Sequence, residues 1–465
     1  MQPIRTVVML WLIPLGGLAQ SSLVNFAHLQ HLTERILLQG DSVDIVHVYA
    51  EYPTYEWVDA KESGPEGIAC VDDAARAAVV YLRHYELTND SMSLRRAVPL
   101  LRFVMKMQAD DGQFYNFIFA DHSINTDGKT SFKSFGWWAA RAVWAMALGH
   151  RVLSGVAPAL AAELRQRVDA TFPHIENVLT RFDSARIIKG YRVARWLLYE
   201  SAADATSELL LGLLEHYAAT HDKRCSTYIE RFALGLSLMQ DGNMTKFPYG
   251  LHRSWETIWH MWGNGQTQAL AKAGTLLGNR KFTASAELEA RAFYSRLLIH
   301  GFMKEMDVTT PDRRVQFEQI AYAVRPMAVG LIRLYEATKK PEYLKMAGLA
   351  ASWFFGNNAT RQRIYDPQTG RCFDGINDSL SINMNSGAES TIEALLTLVE
   401  LEKYPSALRY LNYRKIREGA TRRYQFGVFQ NTSGDELTLA IDVKRSRLLV
   451  FENDKSRIFL QQVNE

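Results

Sequence analysis

The chain lacks the short motifs that mark several enzyme classes. It has no HExxH and no clustered histidines, so a structural or catalytic zinc has no support. It also has no phosphate-binding loop, no dinucleotide-binding fingerprint and no nucleophile elbow. We therefore predict that the protein uses no metal and no cofactor.

Cysteine is scarce, with three residues in 465. Cys70, Cys225 and Cys372 are far apart and form no CxxC pattern, and an odd number allows at most one intramolecular disulfide. A bridge between Cys70 and Cys372 stays open, because each precedes an aspartate in a candidate site loop. We favour buried free thiols, since a chain of this length needs no disulfide scaffold.

No charge of one sign dominates. The chain has 53 Lys and Arg against 50 Asp and Glu, and it has no basic block, which argues against a nucleic-acid partner. Aromatic residues make up 11% of the chain and include ten Trp. A Trp side chain can fill a core or stack on the C–H face of a pyranose, and the composition leaves both roles open.

Long apolar runs are absent except at the N-terminus. Arg5 precedes an apolar run over residues 6–19, and Gly17-Leu18-Ala19 supplies the small residues that a signal peptidase reads. The run is too short to span a bilayer, which takes about 20 residues. We predict a cleaved signal peptide over residues 1–19 and a periplasmic or secreted protein with no membrane span. An uncleaved anchor or a buried first helix is the alternative.

Helical periodicity is abundant. Apolar residues recur at i, i+3, i+4 and i+7 over residues 24–38, 70–87, 92–109, 133–153, 157–181, 190–218, 222–239, 255–277, 281–299, 314–338, 341–355 and 387–402. A weak repeat accompanies them, because Asp111-Gly112 and Asp241-Gly242 each end a helix before a Trp-rich segment. The pattern predicts an all-α fold, an (α/α)6 toroid of six helical hairpins over residues 20–415.

The C-terminal residues 416–465 differ from the rest. Residues 436–443 alternate polar and apolar side chains, and the runs 447–451 and 457–460 follow after polar turns. This alternation is typical of short strands. We predict a small β-rich C-terminal segment packed on the toroid.

The most informative segment is a loop rich in aromatic and acidic residues, including Glu56 and Trp57, that leads into Asp72 and Asp73 at a helix start. The helix dipole and the free backbone N–H groups would stabilise one aspartate there. They explain two adjacent aspartates less well, because like charges repel. Arg76, one turn on, can pair with one of them. We predict a functional role for the pair.

A second polar loop brings Asp374, Asn383, Asn385 and Glu389 to the start of another helix. The structural alternative is a capping box, with Ser386 as the N-cap and Glu389 three residues on. Carboxylate and amide groups placed between apolar helices also suit the recognition of sugar hydroxyls.

Two further clusters are weaker candidates. Asn116 lies in a polar loop after a helix stop, and Trp137 begins a Trp-rich helix. Trp255, Trp259 and Trp262 would share one face of a predicted helix, which is more typical of a core than of a groove.

Four motifs stand in order along the chain, namely Val71-Asp72-Asp73-Ala74-Ala75-Arg76-Ala77, Asp111-Gly112-Gln113-Phe114-Tyr115-Asn116-Phe117, Phe373-Asp374-Gly375 and Asn385-Ser386-Gly387-Ala388-Glu389-Ser390-Thr391. They resemble, in the same order, those of a helical domain in the six-hairpin glycosidase superfamily that often occurs fused to or near bacterial glycosyltransferases. The resemblance covers about residues 45–402. Members more often carry Asn at the position of Ala74 and Gln at that of Ser386. The resemblance implies an (α/α)6 barrel that acts on a glycan.

We therefore predict an exported glycoside hydrolase. One carboxylic acid protonates the leaving oxygen and a second carboxylate acts as base or nucleophile. We assign these roles to Asp72 or Asp73 on one side and Glu389 on the other. The residues expected to bind the glycan are Glu56, Trp57, Arg76, Asn116, Trp137, Trp259, Asp374 and Asn385.

Two other functions stay open. A polysaccharide lyase on the same toroid would need a Tyr or His base and an Arg to neutralise a uronate, for which Tyr115, Asn116, His252 and Arg253 are available. A non-catalytic periplasmic glycan-binding protein would instead carry exposed, dispersed acids and no close carboxylate pair.

Overall fold

The computed structural model describes residues 22–464, so the predicted signal peptide lies outside the described residues. Helices account for most of the core. They are α1 (Ala27–His31), α2 (Val71–Thr88), α3 (Ser91–Lys106), α4 (Trp137–Leu153), α5 (Pro158–Asp169), α6 (Phe172–Leu179), α7 (Ala203–Thr220), α8 (Lys223–Leu238), α9 (Gln266–Leu277), α10 (Arg280–Glu289), α11 (Ser295–His300), α12 (Val324–Thr338), α13 (Glu342–Ala351), α14 (Ala388–Glu402), α15 (Pro405–Leu408) and α16 (Asp454–Asn464). A π-helical turn, Ala290–Tyr294, joins α10 to α11.

Six of the described helices form a closed inner ring. Each of α2, α4, α7, α9, α12 and α14 packs on the next, and α14 packs on α2. The helix that follows each one along the chain packs against its own partner, namely α3, α5, α8, α10, α13 and α15. The chain is therefore a toroid of helical hairpins in which the first and last hairpins are neighbours.

Small residues let the inner helices approach closely. Gly212 in α7 lies against α4, where an added Cβ would lie 2.7 Å from the backbone nitrogen of Trp144. The alanines around Arg76 and Arg141 are likewise fully or almost fully buried. Close packing of this kind leaves room along the axis only for side chains that contact one another directly.

Charged and polar side chains fill that axis in two layers. Each layer takes one residue from each inner helix. The upper layer consists of Arg76, Arg141, Glu208, Gln268, Arg325 and Glu393, and the lower layer of Arg83, Arg151, Glu215, Lys272, Arg333 and Glu400. Burying a charge is costly unless it is paired. Ion pairs link the charged members within each layer, except that Arg141 pairs with Asp72 above its layer.

Short strands connect the helices, so an all-α description leaves part of the fold out. They are β1 (Thr33–Leu38), β2 (Asp41–Val46), β3 (Tyr49–Glu51), β4 (Glu56–Val58), β5 (Ala69–Cys70), β6 (Phe117–Ile118), β7 (Ala185–Ile188), β8 (Tyr191–Ala194), β9 (Gln240–Asp241), β10 (Leu251–His252), β11 (Ile258–His260), β12 (Glu305–Asp307), β13 (Arg314–Val315), β14 (Gln319–Ile320), β15 (Tyr365–Asp366), β16 (Arg371–Cys372), β17 (Gly375–Ile376) and β18 (Ile382–Asn383).

Residues 24–38, predicted to be one helix, form only the short α1 and then strand β1. β1 pairs with β2 in an antiparallel hairpin, with Leu38 opposite Asp41. Gln39 and Gly40 both have positive φ, of 51° and 83°, which is the backbone of a two-residue hairpin turn. The Gln-Gly pair between two β-prone runs was the sequence signal for this turn.

Three other predicted helices start later than expected. Residues 190–218 begin with strand β8, and α7 starts only at Ala203. Residues 255–277 begin with a turn and strand β11, and α9 starts at Gln266. Residues 314–338 begin with strands β13 and β14, and α12 starts at Val324. In all three places the segment before an inner helix carries side chains toward the mouth of the toroid.

The C-terminal sheet has four antiparallel strands, β19 (Arg414–Ala420), β20 (Tyr424–Gln430), β21 (Glu436–Asp442) and β22 (Arg447–Glu452). One face packs on α11 through Leu437 and Leu439, which belong to the main core. The other face is covered by Phe459 of α16. The run 457–460, predicted to be a strand, is helical. Whether residues 416–465 form a separate unit stays a prediction.

The three cysteines are buried free thiols, which excludes the bridge between Cys70 and Cys372. None of the helices within residues 22–464 combines the length and the apolar character that crossing a membrane requires.

Candidate active site

The N-terminal ends of the inner helices surround a cavity of about 610 Å³, which we call the acid cavity. Its acidic side chains are Glu51, Glu62, Asp72, Asp73, Glu318, Asp374 and Glu389. Asp72 and Asp73 lie in the first turn of α2, and Glu389 lies in the first turn of α14. The positive ends of the helix dipoles favour carboxylates at these positions.

A second compartment of about 490 Å³ adjoins the acid cavity, and we call it the aromatic cleft. Arg141, Ile320, Tyr322 and Glu389 line both compartments, so Glu389 stands at their junction. The walls of the cleft include Trp137, Tyr199, Trp255 and Trp262. Among residues 22–464, no group of three or more His, Cys, Asp or Glu side chains is arranged to hold a metal ion.

Arg76 joins the two candidate carboxylates. Its Nη2 donates to Asp73 Oδ1 at 2.7 Å and to Glu389 Oε2 at 3.1 Å. Its Nη1 donates to Glu393 Oε1 at 2.9 Å, and its Nε donates to the backbone oxygen of Asp72 at 3.2 Å. Because Asp73 and Glu389 contact one nitrogen atom, toroid closure has brought the two ends of the helical domain into a single site.

Arg141 holds the other aspartate of the pair. Its Nη1 lies 2.9 Å from Asp72 Oδ1, and its Nη2 donates to Tyr322 Oη at 2.7 Å. The guanidinium also lies 5.1 Å from the ring centroid of Trp137, within the range of a cation–π contact. Asn116 is buried behind the site, where its Oδ1 accepts from the backbone N–H of Asp72 at 3.3 Å. Asn116 is therefore a positioning residue and not part of the cavity wall.

Arg325 and Glu393 form the floor beneath Arg76. Arg325 Nε donates to Glu393 Oε2 at 2.6 Å, and its Nη2 donates to Glu208 Oε1 at 2.8 Å. Its Nη1 donates to Gln268 Oε1 at 2.9 Å. These side chains are almost completely buried. This network fixes the guanidinium of Arg76 from below. Removal of one of its charged members would leave a buried charge uncompensated.

Asp73 is almost completely buried but borders the acid cavity. Burial raises the pKa of its carboxyl to about 6, against the opposing effect of Arg76, and repulsion from Glu389 adds to the rise. Its Oδ2 accepts from the Cys70 thiol at 3.2 Å. A carboxyl that retains its proton close to neutral pH is suited to donate it.

Asp374 organises the start of α14. Its Oδ1 accepts from the backbone N–H of Gly387 at 2.9 Å and from the Ser390 hydroxyl at 2.6 Å. The N-cap residue is Gly387, whereas Ser386 donates to the Cys372 carbonyl. The structural alternative, a capping box of Ser386 and Glu389, is therefore excluded, because Asp374 binds the N-cap N–H and Glu389 faces the cavity.

The aromatic cleft is built around His260. Its ring centroid lies 4.6 Å from that of Trp255 and 4.1 Å from that of Trp262. His260 Nδ1 accepts from the backbone N–H of Gly263 at 3.0 Å, and Nε2 lies 2.9 Å from Asp204 Oδ2. Because Nδ1 accepts a hydrogen bond, the ring proton lies on Nε2, and this N–H donates a hydrogen bond to Asp204 Oδ2. Both ring nitrogens are therefore engaged. The ring itself contacts the two Trp side chains and supports them.

The residues predicted from sequence that the structure places at the acid cavity or the aromatic cleft are Asp72, Asp73, Arg76, Trp137, Asp374, Asn385 and Glu389. Glu56 and Trp57 lie on β4 outside both, and the Trp57 ring stacks on His47 at 3.7 Å. The placement of Trp259 in a sugar-binding groove is wrong. Its side chain is fully buried against Phe293, because strand β11 turns it toward the core.

The residues available for a lyase lie elsewhere. His252 is fully buried, with Nδ1 2.7 Å from Glu289 Oε2. Arg253 is also buried and pairs with Asp241 at 2.7 Å. Neither of them, nor Tyr115, lines the acid cavity or the aromatic cleft.

Arg141 and Tyr322 were missed by the sequence-based prediction. A signal existed for Arg141, because Ala139-Ala140-Arg141-Ala142 repeats the pattern of Ala74-Ala75-Arg76-Ala77. A lone arginine in an alanine-rich, tightly packed helix must find a partner in the interior. Tyr322 precedes α12 in an apolar segment, and no sequence pattern distinguishes it.

Comparison with solved structures identifies the fold. The chain is similar to a cellobiose 2-epimerase from Bacillus thermoamylovorans B4167, with a TM-score of 0.54 and 12% identity over 81% of this chain and 95% of that one. A sugar epimerase from a ruminal bacterium has a TM-score of 0.52 and 13% identity over 81% of this chain and 97% of that one. A D-mannose isomerase has a TM-score of 0.53 and 11% identity over 77% of this chain and 91% of that one. No protein-family model and no curated protein sequence matches the chain.

At these identities the likeness concerns the fold. The predicted (α/α)6 toroid of helical hairpins is thereby confirmed as the fold of the helical part of the chain.

Proposed function

We propose that the chain is a glycoside hydrolase that cleaves a glycan where the acid cavity meets the aromatic cleft. One observation carries this proposal: Asp73 and Glu389 contact the same nitrogen of Arg76, and Glu389 lines both compartments. Hydrolysis of a glycosidic bond needs a proton donor and a second carboxylate on the two sides of the scissile bond.

We assign proton donation to Asp73 and the base or nucleophile role to Glu389. The pKa of Asp73 is raised to about 6, which keeps a proton available. The Glu389 side chain is 42% exposed, so it can reach a bound sugar or a water molecule. Asp72, held by Arg141, and Asn385 at the wall would orient hydroxyl groups. Trp137 and its neighbours in the cleft would stack on sugar rings.

Isomerisation or epimerisation is the second candidate, because the similar structures are named for those activities. Moving a proton from a carbon atom requires a base with a free lone pair. His260 is the histidine among the described residues that line the two compartments, and both of its ring nitrogens are already engaged. A histidine base is therefore not available, and Glu389 would have to be the base in this reaction as well. We favour hydrolysis because Asp73, whose pKa is raised to about 6, is suited to protonate a leaving oxygen.

A non-catalytic binding protein is disfavoured by the same pair. Asp73 borders the cavity with a pKa raised to about 6, and repulsion from Glu389 adds to that rise, which is an arrangement that proton transfer uses and simple binding does not. Binding alone would be served by the aromatic walls and neutral amides.

Export is part of the proposal. Residues 1–19 would act as a signal peptide, which would place the enzyme in the periplasm or outside the cell. Intact-mass measurement of the secreted protein tests this directly. A mature N-terminus after Ala19 is expected, and retention of Met1 would contradict it.

The reaction class can be determined in isotopically labelled water. The purified protein is incubated with a panel of oligo- and polysaccharides in H₂¹⁸O, and in a parallel experiment in D₂O. We expect shortened products that carry one ¹⁸O at the new reducing end and no carbon-bound deuterium. A product that is an isomer of the substrate and carries deuterium on carbon, with no other change in mass, would identify an epimerase or isomerase. That result would contradict the proposal. An unsaturated, ultraviolet-absorbing product would identify a lyase.

A further inference from the structure

A further cavity, of about 460 Å³, lies between α11, strand β13 and the C-terminal sheet, and we call it the arginine cavity. Phe247, Tyr249 and Phe302 give it aromatic walls, and Arg296 and Arg314 give it positive charge. No aspartate or glutamate of the described residues lines it. Its volume falls within the about 300–1,000 Å³ typical of small-molecule sites.

Arg296 is the central residue of this cavity. It is 8% exposed, and its guanidinium carbon lies 3.9 Å from the ring centroid of Tyr249. Nη2 donates to the Met244 carbonyl at 2.9 Å, and Nη1 donates to the Ala292 carbonyl. Nε has no hydrogen-bond partner. Within residues 22–464, no carboxylate forms an ion pair with Arg296.

Other buried arginines of the chain are held differently. Arg76, Arg141 and Arg325 each contact a carboxylate directly. A guanidinium buried without a counter-charge costs free energy, and burial lowers the pKa of Arg296 to about 10. An anion in the arginine cavity would supply the missing counter-charge.

Neighbouring elements also point to a ligand. The π-helical turn Ala290–Tyr294 leads directly into α11 and Arg296. Turns of this kind are rare and are found frequently at functional sites. Gln425 of strand β20 and His300 of α11 also line the cavity and interact with each other through their side chains. The cavity thus combines an unpaired cation, polar side chains and aromatic faces.

We propose that the arginine cavity binds an anionic sugar, that is, a pyranose bearing a carboxylate or a phosphate. The charged group would lie against Arg296 and Arg314, because guanidinium groups match the geometry of both anions. The ring would lie against the aromatic walls, whose faces match its C–H groups, and Gln425 Oε1 would accept from a hydroxyl. The binding does not depend on the reaction proposed for the acid cavity.

Calorimetric titration of the full chain with glucuronate, glucose 6-phosphate and glucose at low salt tests this proposal. We expect at least one of the two anions to bind, and glucose to bind about tenfold more weakly or not at all. Arg314→Ala and Arg296→Met should each weaken anion binding about tenfold or more. The matched control is Arg313→Ala, an exposed neighbour that does not line the cavity and should leave affinity unchanged.

Comparing the two anions shows which charged group of the sugar the cavity recognises. Binding of glucuronate alone indicates a uronic acid, and binding of glucose 6-phosphate alone indicates a sugar phosphate. Equal affinity for glucose, or no binding of either anion, would overturn the proposal. Anion binding that survives Arg314→Ala unchanged would overturn it as well. Arg296 also donates to two backbone carbonyls, so its replacement could unfold the protein, and the melting temperature of Arg296→Met is measured together with its affinity. If Arg296→Met does not fold, the affinity of Arg314→Ala tests the proposal.

Discussion

The acid cavity and the arginine cavity belong to one chain but carry opposite charges. In the acid cavity, carboxylates from helix first turns pair with Arg76 and Arg141, and Arg76 also pairs with Glu393 below it. In the arginine cavity, Arg296 rests on backbone carbonyls and on the Tyr249 ring, which leave its charge uncompensated. The comparison teaches that the surroundings of a buried charge decide its task. A carboxyl whose pKa is raised by burial is suited to proton transfer, and an unpaired guanidinium is suited to recognising an anion.

Removing the glutamate beneath the acid cavity should have the largest effect on this arrangement. Glu393→Gln leaves Arg76 and Arg325 each short of a buried partner, so we expect the free energy of unfolding to fall by about 3–5 kcal/mol. Urea denaturation measures this change. The control Glu163→Gln, on the exposed side of α5, should stay within about 0.5 kcal/mol of wild type. Equal stability of the two variants would show that the upper layer does not depend on ion pairing.

The second largest effect should be a pH dependence of activity that comes from Asp73 in the acid cavity and not from Arg296 in the arginine cavity. Since the pKa of Asp73 is raised to about 6, its proton persists to higher pH than on an ordinary aspartic acid, whose pKa is 3.8. If the protonated form donates, kcat/KM falls as pH rises through about 6 and then drops about tenfold per pH unit. Arg296, with a pKa near 10, keeps its charge over this range. A pH–rate profile on the hydrolysed glycan tests this, and activity that rises steadily from pH 5 to pH 8 would contradict the assigned role of Asp73.

The aromatic cleft should contribute a smaller effect, on binding. Trp137→Ala should raise KM by about two- to tenfold with a smaller change in kcat, because a stacking contact contributes about 0.5–1.5 kcal/mol. Trp57→Ala is the matched comparison, since Trp57 is exposed on β4 and lines neither compartment. Steady-state kinetics of the two variants measure the difference. A larger KM change in Trp57→Ala would restore the sequence-based assignment of Trp57.

Chelation should have the smallest effect. We expect activity to be unchanged in EDTA, because Asp72, Asp73 and Glu389 are already paired with Arg76 or Arg141. Loss of activity that calcium restores would show that these carboxylates bind a metal ion, which would also remove the charge contrast between the two cavities.

Much of the toroid could be predicted from helical periodicity, and the site pair Asp73 and Glu389 from acids at two predicted helix starts. Periodicity failed in residues 24–38, where a hairpin turn at Gln39-Gly40 interrupts an apolar pattern that suits a helix equally well. It failed again at residues 255–262, where a turn and strand β11 replace the predicted helix, so Trp259 lies in the core while Trp255 and Trp262 line the aromatic cleft. Local pattern does not report the direction of a side chain in a loop.

The charged layers show a second reason why parts of the structure could not be predicted from the sequence. Arg76 could be assigned to the acids one turn away, but Glu393 and Arg325 meet it only because the ring closes. The arginine cavity depends likewise on contacts between α11 and the C-terminal sheet, which are distant in sequence. Such sites follow from topology, and a single sequence specifies that topology only indirectly.

The most direct test of the central claim is the turnover of Asp73→Asn and Glu389→Gln on the glycan that the wild-type protein hydrolyses. We predict that each substitution lowers kcat by about 10²–10⁴-fold, as loss of a proton donor or a reacting carboxylate does, with the melting temperature retained and Glu163→Gln fully active. If both variants turn over substrate within about threefold of wild type, a change of under 1 kcal/mol in the barrier, the acid cavity is not where the chemistry occurs.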